Sequence, residues 1–193
     1  MVGAFAFNDR LVMIRLDGEN TPDPTFGTDG LVNPEVLVSD NDEIFDLAAA
    51  PGGKTVAVGK LGSKALVARY LPSGRLDTSF ATDGQLAIPG PGVEGGYVGQ
   101  RVAVQADGKL LVCLGGWGTQ VARITADGRL DPAFGSAGIV ALTFDSCAGI
   151  AELKGGKVLV AGRSPQRRPV LTRLKATGEI DSSYGKAGQA AGP

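Results

Sequence analysis

The 193-residue sequence contains no histidine. That removes the side chain most often used as a general acid or base, the commonest transition-metal ligand and the usual pH switch. Cysteine is almost as scarce. Cys113 and Cys147 are the two, too few for a disulfide scaffold or a four-cysteine zinc site. A single bridge stays open, but two free, mostly buried thiols are the plainer expectation. No run of about 18 apolar residues occurs, so no transmembrane helix or membrane insertion is expected. Met1 to Arg10 has no basic stretch, and its apolar run is too short for a signal peptide. Either the protein stays inside the cell or the chain lacks its natural start. Basic charge is missing too: the net charge is −1. That argues against nucleic acid as a partner, since binding it needs a positive footprint.

What is present is glycine, 30 residues of it, with 11 prolines. With 43% hydrophobic and 20% charged residues the chain reads as globular. The glycines recur at fixed places, which marks turns between short strands. One block of sequence occurs four times, at Val12–Val32, Leu66–Leu86, Gln120–Val140 and Val170–Ala190. Four anchors keep their spacing. An arginine opens each copy (Arg15, Arg69, Arg123, Arg173) and an aspartate follows eight residues later (Asp23, Asp77, Asp131, Asp181). Three residues on comes an aromatic (Phe26, Phe80, Phe134, Tyr184), and four more bring a glycine (Gly30, Gly84, Gly138, Gly188).

A second block lies between these, at Leu47–Gly59, Val102–Gly115 and Ile150–Gly162. Each is an apolar run, a Gly-Lys pair (Gly53-Lys54, Gly108-Lys109, Gly156-Lys157) and a Val/Leu-rich run. That is a β-hairpin signature. One repeat therefore reads as strand a, the Gly-Lys hairpin, strand b, a loop, strand c through the arginine, a second tight turn, the Asp-x-x-aromatic segment and strand d. The second turn is Ser73-Gly74, Asp127-Gly128 or Thr177-Gly178, and in the first copy it slips early to Asp17-Gly18. Four short strands in about 50 residues match a propeller blade. The expected fold is all-β: a β-propeller-like array of four-stranded blades, about three and a half repeats, open or partial. A β-solenoid is the alternative. The boundaries are a partial blade at 1–33 and repeats at 34–88, 89–144 and 145–193, the last ending in Gln189 to Pro193 without an apolar strand d.

The pattern resembles the bacterial delta-60 repeat family. Leu66–Gly84 and Val102–Gly115, with their weaker copies, carry the resemblance over nearly the whole chain. It implies a propeller-type tandem repeat found in large bacterial proteins, extracellular or at the cell surface, with no activity assigned. The departures are local. Gly18-Glu19-Asn20 breaks the first second-turn, and Ala81 replaces the glycine that follows the aromatic elsewhere.

The arginine–aspartate pair has two readings, a ring of ligand contacts or an ion pair within each blade. Identical placement in four copies favours the structural one. The aromatic is expected in the core. The Gly-Lys hairpins lack the glycine spacing of a phosphate loop. Strands a to d alternate in direction, so the b–c and d–a connections share one end. The b–c loops differ in every copy: Ala4–Arg10, Lys60–Lys64, Gly115–Thr119 and Arg163–Pro169. Variation on a fixed scaffold is where recognition can sit. The candidate binding face is therefore Trp117 with Arg10, Lys60, Lys64, Arg163, Arg167 and Arg168. On the same end, Asp40-Asn41-Asp42-Glu43 and Asp46 are acidic. They lack a calcium-loop spacing and read as a solvated loop.

No catalytic, cofactor or metal residues are identified. The expected function is a non-catalytic binding or scaffold module whose partner is a protein or a carbohydrate. The alternatives are a propeller hydrolase or lyase with an acidic or calcium site, and a spacer of a large surface protein. Three and a half blades are fewer than the roughly four to eight that close a propeller. Either further repeats in a longer chain or self-association is expected to complete it.

Overall fold

The computed structural model describes residues 2–7, 10–33, 42–90, 96–116 and 118–192, with side chains from residue 12 onward. Four antiparallel sheets follow one another along the chain. The first has three strands, β1 (Val2–Phe7), β2 (Arg10–Arg15) and β3 (Leu31–Val32). The second is β4 (Glu43–Ala50), β5 (Lys54–Leu61), β6 (Lys64–Tyr70) and β7 (Gln85–Pro89). The third is β8 (Val98–Val104), β9 (Leu110–Gly115), β10 (Thr119–Ile124) and β11 (Ile139–Leu142). The fourth is β12 (Ser146–Glu152), β13 (Val158–Arg163), β14 (Pro169–Leu174) and β15 (Gln189–Ala191). Each sheet is an up-and-down meander of sequential neighbours. This is a partial β-propeller; a solenoid would stack parallel rungs instead. The first sheet corresponds to strands b, c and d of the later ones. The last strand d forms although Gln189-Ala190-Ala191 is not an apolar run, because its backbone pairs with β14 from Val170 to Thr172.

The core lies between sheets. Met13 and Phe26 of the first pack against Ala57, Leu66, Ala68 and Tyr70 of the second. Val58, Val67 and Phe80 of the second meet Val102, Val112 and Ile124 of the third. Leu111, Val121 and Phe134 of the third meet Val158, Val160 and Leu174 of the fourth. Strands b and c of the second and third sheets are covered on both faces, which is why they read as near-continuous apolar runs without alternation.

The four repeated anchors build one device. Arg15, Arg69, Arg123 and Arg173 each place Nε 2.7–2.9 Å from Oδ2 of Asp23, Asp77, Asp131 and Asp181. The guanidinium also lies 4.6–4.8 Å above the ring of Phe26, Phe80, Phe134 or Tyr184. The same carboxylate takes a second cation that the sequence pattern did not assign. The lysines of the Gly-Lys hairpins reach it: Lys54 at 2.7 Å, Lys109 at 3.1 Å and Lys157 at 2.8 Å. Its other oxygen accepts the backbone N–H two residues on, from Thr25, Ser79, Ala133 or Ser183. One carboxylate thus ties together the a–b hairpin, strand c and the c–d connection of its sheet.

The arginine then reaches outward. Its Nη1 donates to a carbonyl in the following sheet: Arg15 to Pro72 O at 2.5 Å, Arg69 to Ala126 O at 2.6 Å, and Arg123 to Ala176 O. Beside it, the residue after the aromatic donates its N–H to the next carbonyl: Gly27 to Ser73, Ala81 to Asp127 and Gly135 to Thr177, at 2.8–2.9 Å. Every junction uses this pair of bonds.

Close approach explains the turn glycine. A Cβ on Gly128 would lie 2.4 Å from Ala81 N, and one on Gly74 would lie 2.4 Å from Val32 Cγ2. In the first copy the left-handed residue is Asn20 (φ 62°). The turn does not slip to Asp17-Gly18: Asn20 N bonds Asp17 O as Gly74 N bonds Leu71 O. Ala81 likewise keeps the left-handed conformation of the glycines it replaces, at φ 48° against 54–62°. The c–d connection is not a tight turn, however. Between β6 and β7 it runs from Leu71 to Gly84, folding back through bridges at Tyr70–Leu76 and Thr82–Gln85. Its final step is a two-residue hairpin at Asp29-Gly30, Asp83-Gly84, Ala137-Gly138 and Ala187-Gly188, with φ > 0 at both residues.

The two cysteines correct an expectation. They are not free thiols: Cys113 on β9 and Cys147 on β12 form a disulfide, with Cα atoms 6.2 Å apart. Their positions 34 residues apart belong to adjacent sheets whose facing strands the junction brings together. Linkage across that span should stabilise the fold by about 3–4 kcal/mol. Reduction, or a Cys113→Ser/Cys147→Ser variant, is expected to lower the unfolding free energy by that order in denaturant titration, with the strands retained by circular dichroism.

The carboxylate clamp makes a second prediction. Burial alone would raise the Asp77 and Asp131 carboxyls, but lysine, arginine and backbone donors outweigh it and hold both below the usual carboxylate range. Lys157 and Ser183 do the same for Asp181. A carboxyl whose folded pKa is depressed adds stability above its unfolded pKa, near 4, and loses it as pH falls through the lower folded value. Stability is therefore expected to hold from neutral pH to about pH 5 and to fall below about pH 4. Asp131→Ala leaves buried Arg123 without its carboxylate and should cost about 3–5 kcal/mol at pH 7, with a flatter acid limb in the same titration.

Candidate functional site

Alternation of strand direction puts the b–c turns and the d–a connections at one end of the stack. The b–c turns are themselves short hairpins, Gly62-Ser63 between β5 and β6 and Gly116 to Gly118 between β9 and β10. Ala4–Phe7, expected in a loop, belongs to β1. The long, uniform connection is the c–d one at the opposite end, so variability and not length distinguishes the b–c end.

A cleft of about 590 Å³ opens at this end between the second and third sheets, lined by Glu43, Phe45, Lys60, Ser63, Tyr97 and Gly116 among others. Strand β4 supplies its apolar floor through a β-bulge. The register with β5 shifts between Ile44 and Asp46, leaving Phe45 without a partner residue. A bulge re-aims its side chain, and Phe45 is 44% exposed. Glu43 and Lys60 sit directly opposite each other in the β4–β5 ladder at the cleft edge. Tyr97, 5% exposed, closes the wall of the third sheet. Burial raises its phenol pKa, an effect that a hydrogen bond to Gln120 partly offsets.

The acidic d–a residues serve the frame. Asp42 is buried and its Oδ1 accepts the Gly62 N–H at 2.7 Å, pinning the b–c turn beneath the cleft. Asp46 Oδ2 accepts the Val102 N–H at 2.9 Å and joins the inner strands of two sheets. Asp40 and Asn41 lie outside the described residues. Among the described residues no group of three potential metal ligands comes together, and no helix is long and apolar enough to cross a membrane.

Of the residues expected on the binding face, Lys60 lines the cleft. Lys64 is exposed at the start of β6. Arg163 ends β13, and Arg167 and Arg168 stand exposed on the fourth sheet's turn, where Arg167 is left-handed at φ 62°. None of these three lines the cleft. Arg10 begins β2, and its side chain is outside the description. Trp117 also lies outside the described residues, next to cleft residue Gly116. Phe45 and Tyr97 are the side chains sequence reasoning missed. The available signal was the doublet Ile44-Phe45 inside a strand, which breaks the in–out alternation.

Comparison with known proteins agrees with this architecture. A family described as "Domain of unknown function (DUF5122) beta-propeller" matches residues 105–134 and 156–184. These segments run from the a–b hairpin to the Asp-x-x-aromatic turn of the third and fourth sheets. The chain is thus built of a β-propeller-type repeat. No curated protein matches it. Among solved structures, a protein of unknown function from Bacteroides caccae is similar with 15% identity and a TM-score of 0.55, over 93% of this chain and 54% of that one. The PQQ-bound aldose sugar dehydrogenase from Streptomyces coelicolor is similar with 18% identity and a TM-score of 0.57, over 99% and 61%. A GH43 β-xylosidase/α-arabinofuranosidase from a compost microbial metagenome has 12% identity and a TM-score of 0.42, over 98% and 76%. The chain spans less than two thirds of the first two, and likeness at these identities is one of fold.

Proposed function

We propose that this chain is a non-catalytic binding module of the bacterial delta-60 type, and that it takes a neutral carbohydrate in the cleft between its second and third sheets. The observation that carries this reading is the bulge that turns Phe45 outward beside the Glu43–Lys60 pair. An exposed ring offers a flat apolar platform for the C–H face of a sugar, and the flanking charges accept and donate hydrogen bonds at its hydroxyls. A sequence without histidine supports binding over acid–base catalysis. The delta-60 assignment rests on the four anchors kept in all four copies. The Cys113–Cys147 bridge fits an oxidising compartment, such as the cell surface.

The test is a panel of neutral oligosaccharides offered to the intact protein, with titration calorimetry on any that bind. Phe45→Ala is expected to weaken binding at least about tenfold, the loss of one stacked aromatic, and Lys60→Ala by less. Sugar binding that Phe45→Ala leaves unchanged would remove the cleft from consideration. Turnover of a bound glycan would replace this reading with the hydrolase or lyase one.

A further inference from the structure

The two ends of the stack are unlike its middle, and they complement each other. At the fourth sheet the repeated junction is half made. Arg173 keeps its bonds to Asp181 and Ser183, but among the described residues its Nη1 and the N–H of Gly185 have no carbonyl such as Ala176 or Thr177 to meet. Around them lies an apolar face cut open. Leu159, Ala161, Leu171 and Tyr184 are part-exposed, whereas Leu111, Cys113, Val121 and Phe134, at the same positions of the third sheet, are fully buried. The first sheet shows the opposite face. Val12 and Ile14 are part-exposed where Val170 and Thr172 of the fourth sheet are buried. Its Gly18 and Glu19 carbonyls occupy the positions of the Pro72 and Ser73 acceptors.

Two departures from the repeat show what fits there. The glycine that every internal junction needs is Asn20 in the first sheet. In the internal junctions an added Cβ would strike a valine γ-methyl, at 2.4 Å on Val32 and 2.8 Å on Val140, or the backbone and Cβ of Ala81, at 2.4–2.8 Å. On the fourth sheet the side-chain obstacles are trimmed: Ala190 stands where Val32 and Val140 stand, and Gly185 where Ala81 stands, while the backbone N of that residue, 2.8–3.0 Å from such a Cβ at Gly135 and Gly27, stays. The second departure is charge. Thr28 and Ser73 line one inter-sheet groove, and Thr82 and Asp127 line its equivalent. At those positions the fourth sheet carries Lys186 and the first carries Glu19, both exposed. Reduced side-chain bulk and opposite charge are therefore paired across the two ends.

We propose that the fourth sheet of one chain docks on the first sheet of a second copy, head to tail and in both directions, closing a two-chain propeller. Arg173 Nη1 donates to the partner's Gly18 carbonyl and Gly185 N–H to the partner's Glu19 carbonyl. Lys186 faces the partner's Glu19 side chain. Two copies bring eight sheets, at the upper end of the roughly four to eight that close a propeller. A head-to-tail contact that closes after two copies has two identical interfaces. This goes beyond the sugar-cleft reading, which concerns the inside of one chain.

Sedimentation velocity of the full chain decides it. The expected species is about twice the 19.7 kDa of the chain. Lys186→Glu and Glu19→Lys are each expected to weaken association at least about fivefold, and the double charge swap to restore it. Leu171→Glu puts a charge into the apolar contact and should weaken association by about a hundredfold or more. Far-UV circular dichroism and an unchanged first unfolding step in each monomeric variant show that folding was kept. A monomer at every concentration, open chains growing with concentration, or a dimer indifferent to both the charge swap and Leu171→Glu would overturn the proposal.

Discussion

One carboxylate per sheet carries more of this structure than any other group. Asp77, Asp131 and Asp181 each accept from a lysine on the a–b hairpin, an arginine on strand c and a backbone N–H in the c–d connection. The arginine so held lies over an aromatic ring, and the Nη1 of Arg15, Arg69 and Arg123 reaches a carbonyl of the next sheet. Internal order and sheet-to-sheet register therefore depend on the same ion cluster. A buried charge is costly without partners. Because several donors converge on it, the cluster permits one arrangement of the strands that bring them.

That economy separates frame from function. The anchors are used up in building the junctions, and at the c–d end of the stack they keep their places in every copy. Freedom remains at the other end, where short b–c turns and d–a connections differ. The strand-a bulge recurs in β4, β8 and β12, and in β4 it carries the exposed Phe45 that lines the cleft. Asp42 and Asp46, which looked like a loose acidic loop, hold that cleft in shape through Gly62 and Val102.

The same reasoning explains the irregular copies. A glycine is required where a neighbouring sheet crowds the turn, as at Gly74, Gly128 and Gly178, and Asn20 takes the same left-handed place in the first sheet. Val32 and Val140 pack against the turn glycine of the sheet that covers them, and Ala190 stands at the equivalent place in the fourth sheet.

By itself the sequence determined the repeat, its four anchors, the strand order within a blade and the partial first unit. These are local: they follow from turn chemistry and from spacing that survives four copies. It could not determine the partners of the lysines, the pairing of Cys113 with Cys147, or the exposure of Phe45 and the burial of Tyr97. Each of those joins residues that are 20 to 60 positions apart or lie in different sheets, and only packing one sheet on the next brings them together. The folding of the c–d connection into one piece has a related cause. A turn, an Asp-centred loop and an Asp-Gly or Ala-Gly hairpin follow one another there, and the tertiary clamp on the aspartate makes them one unit.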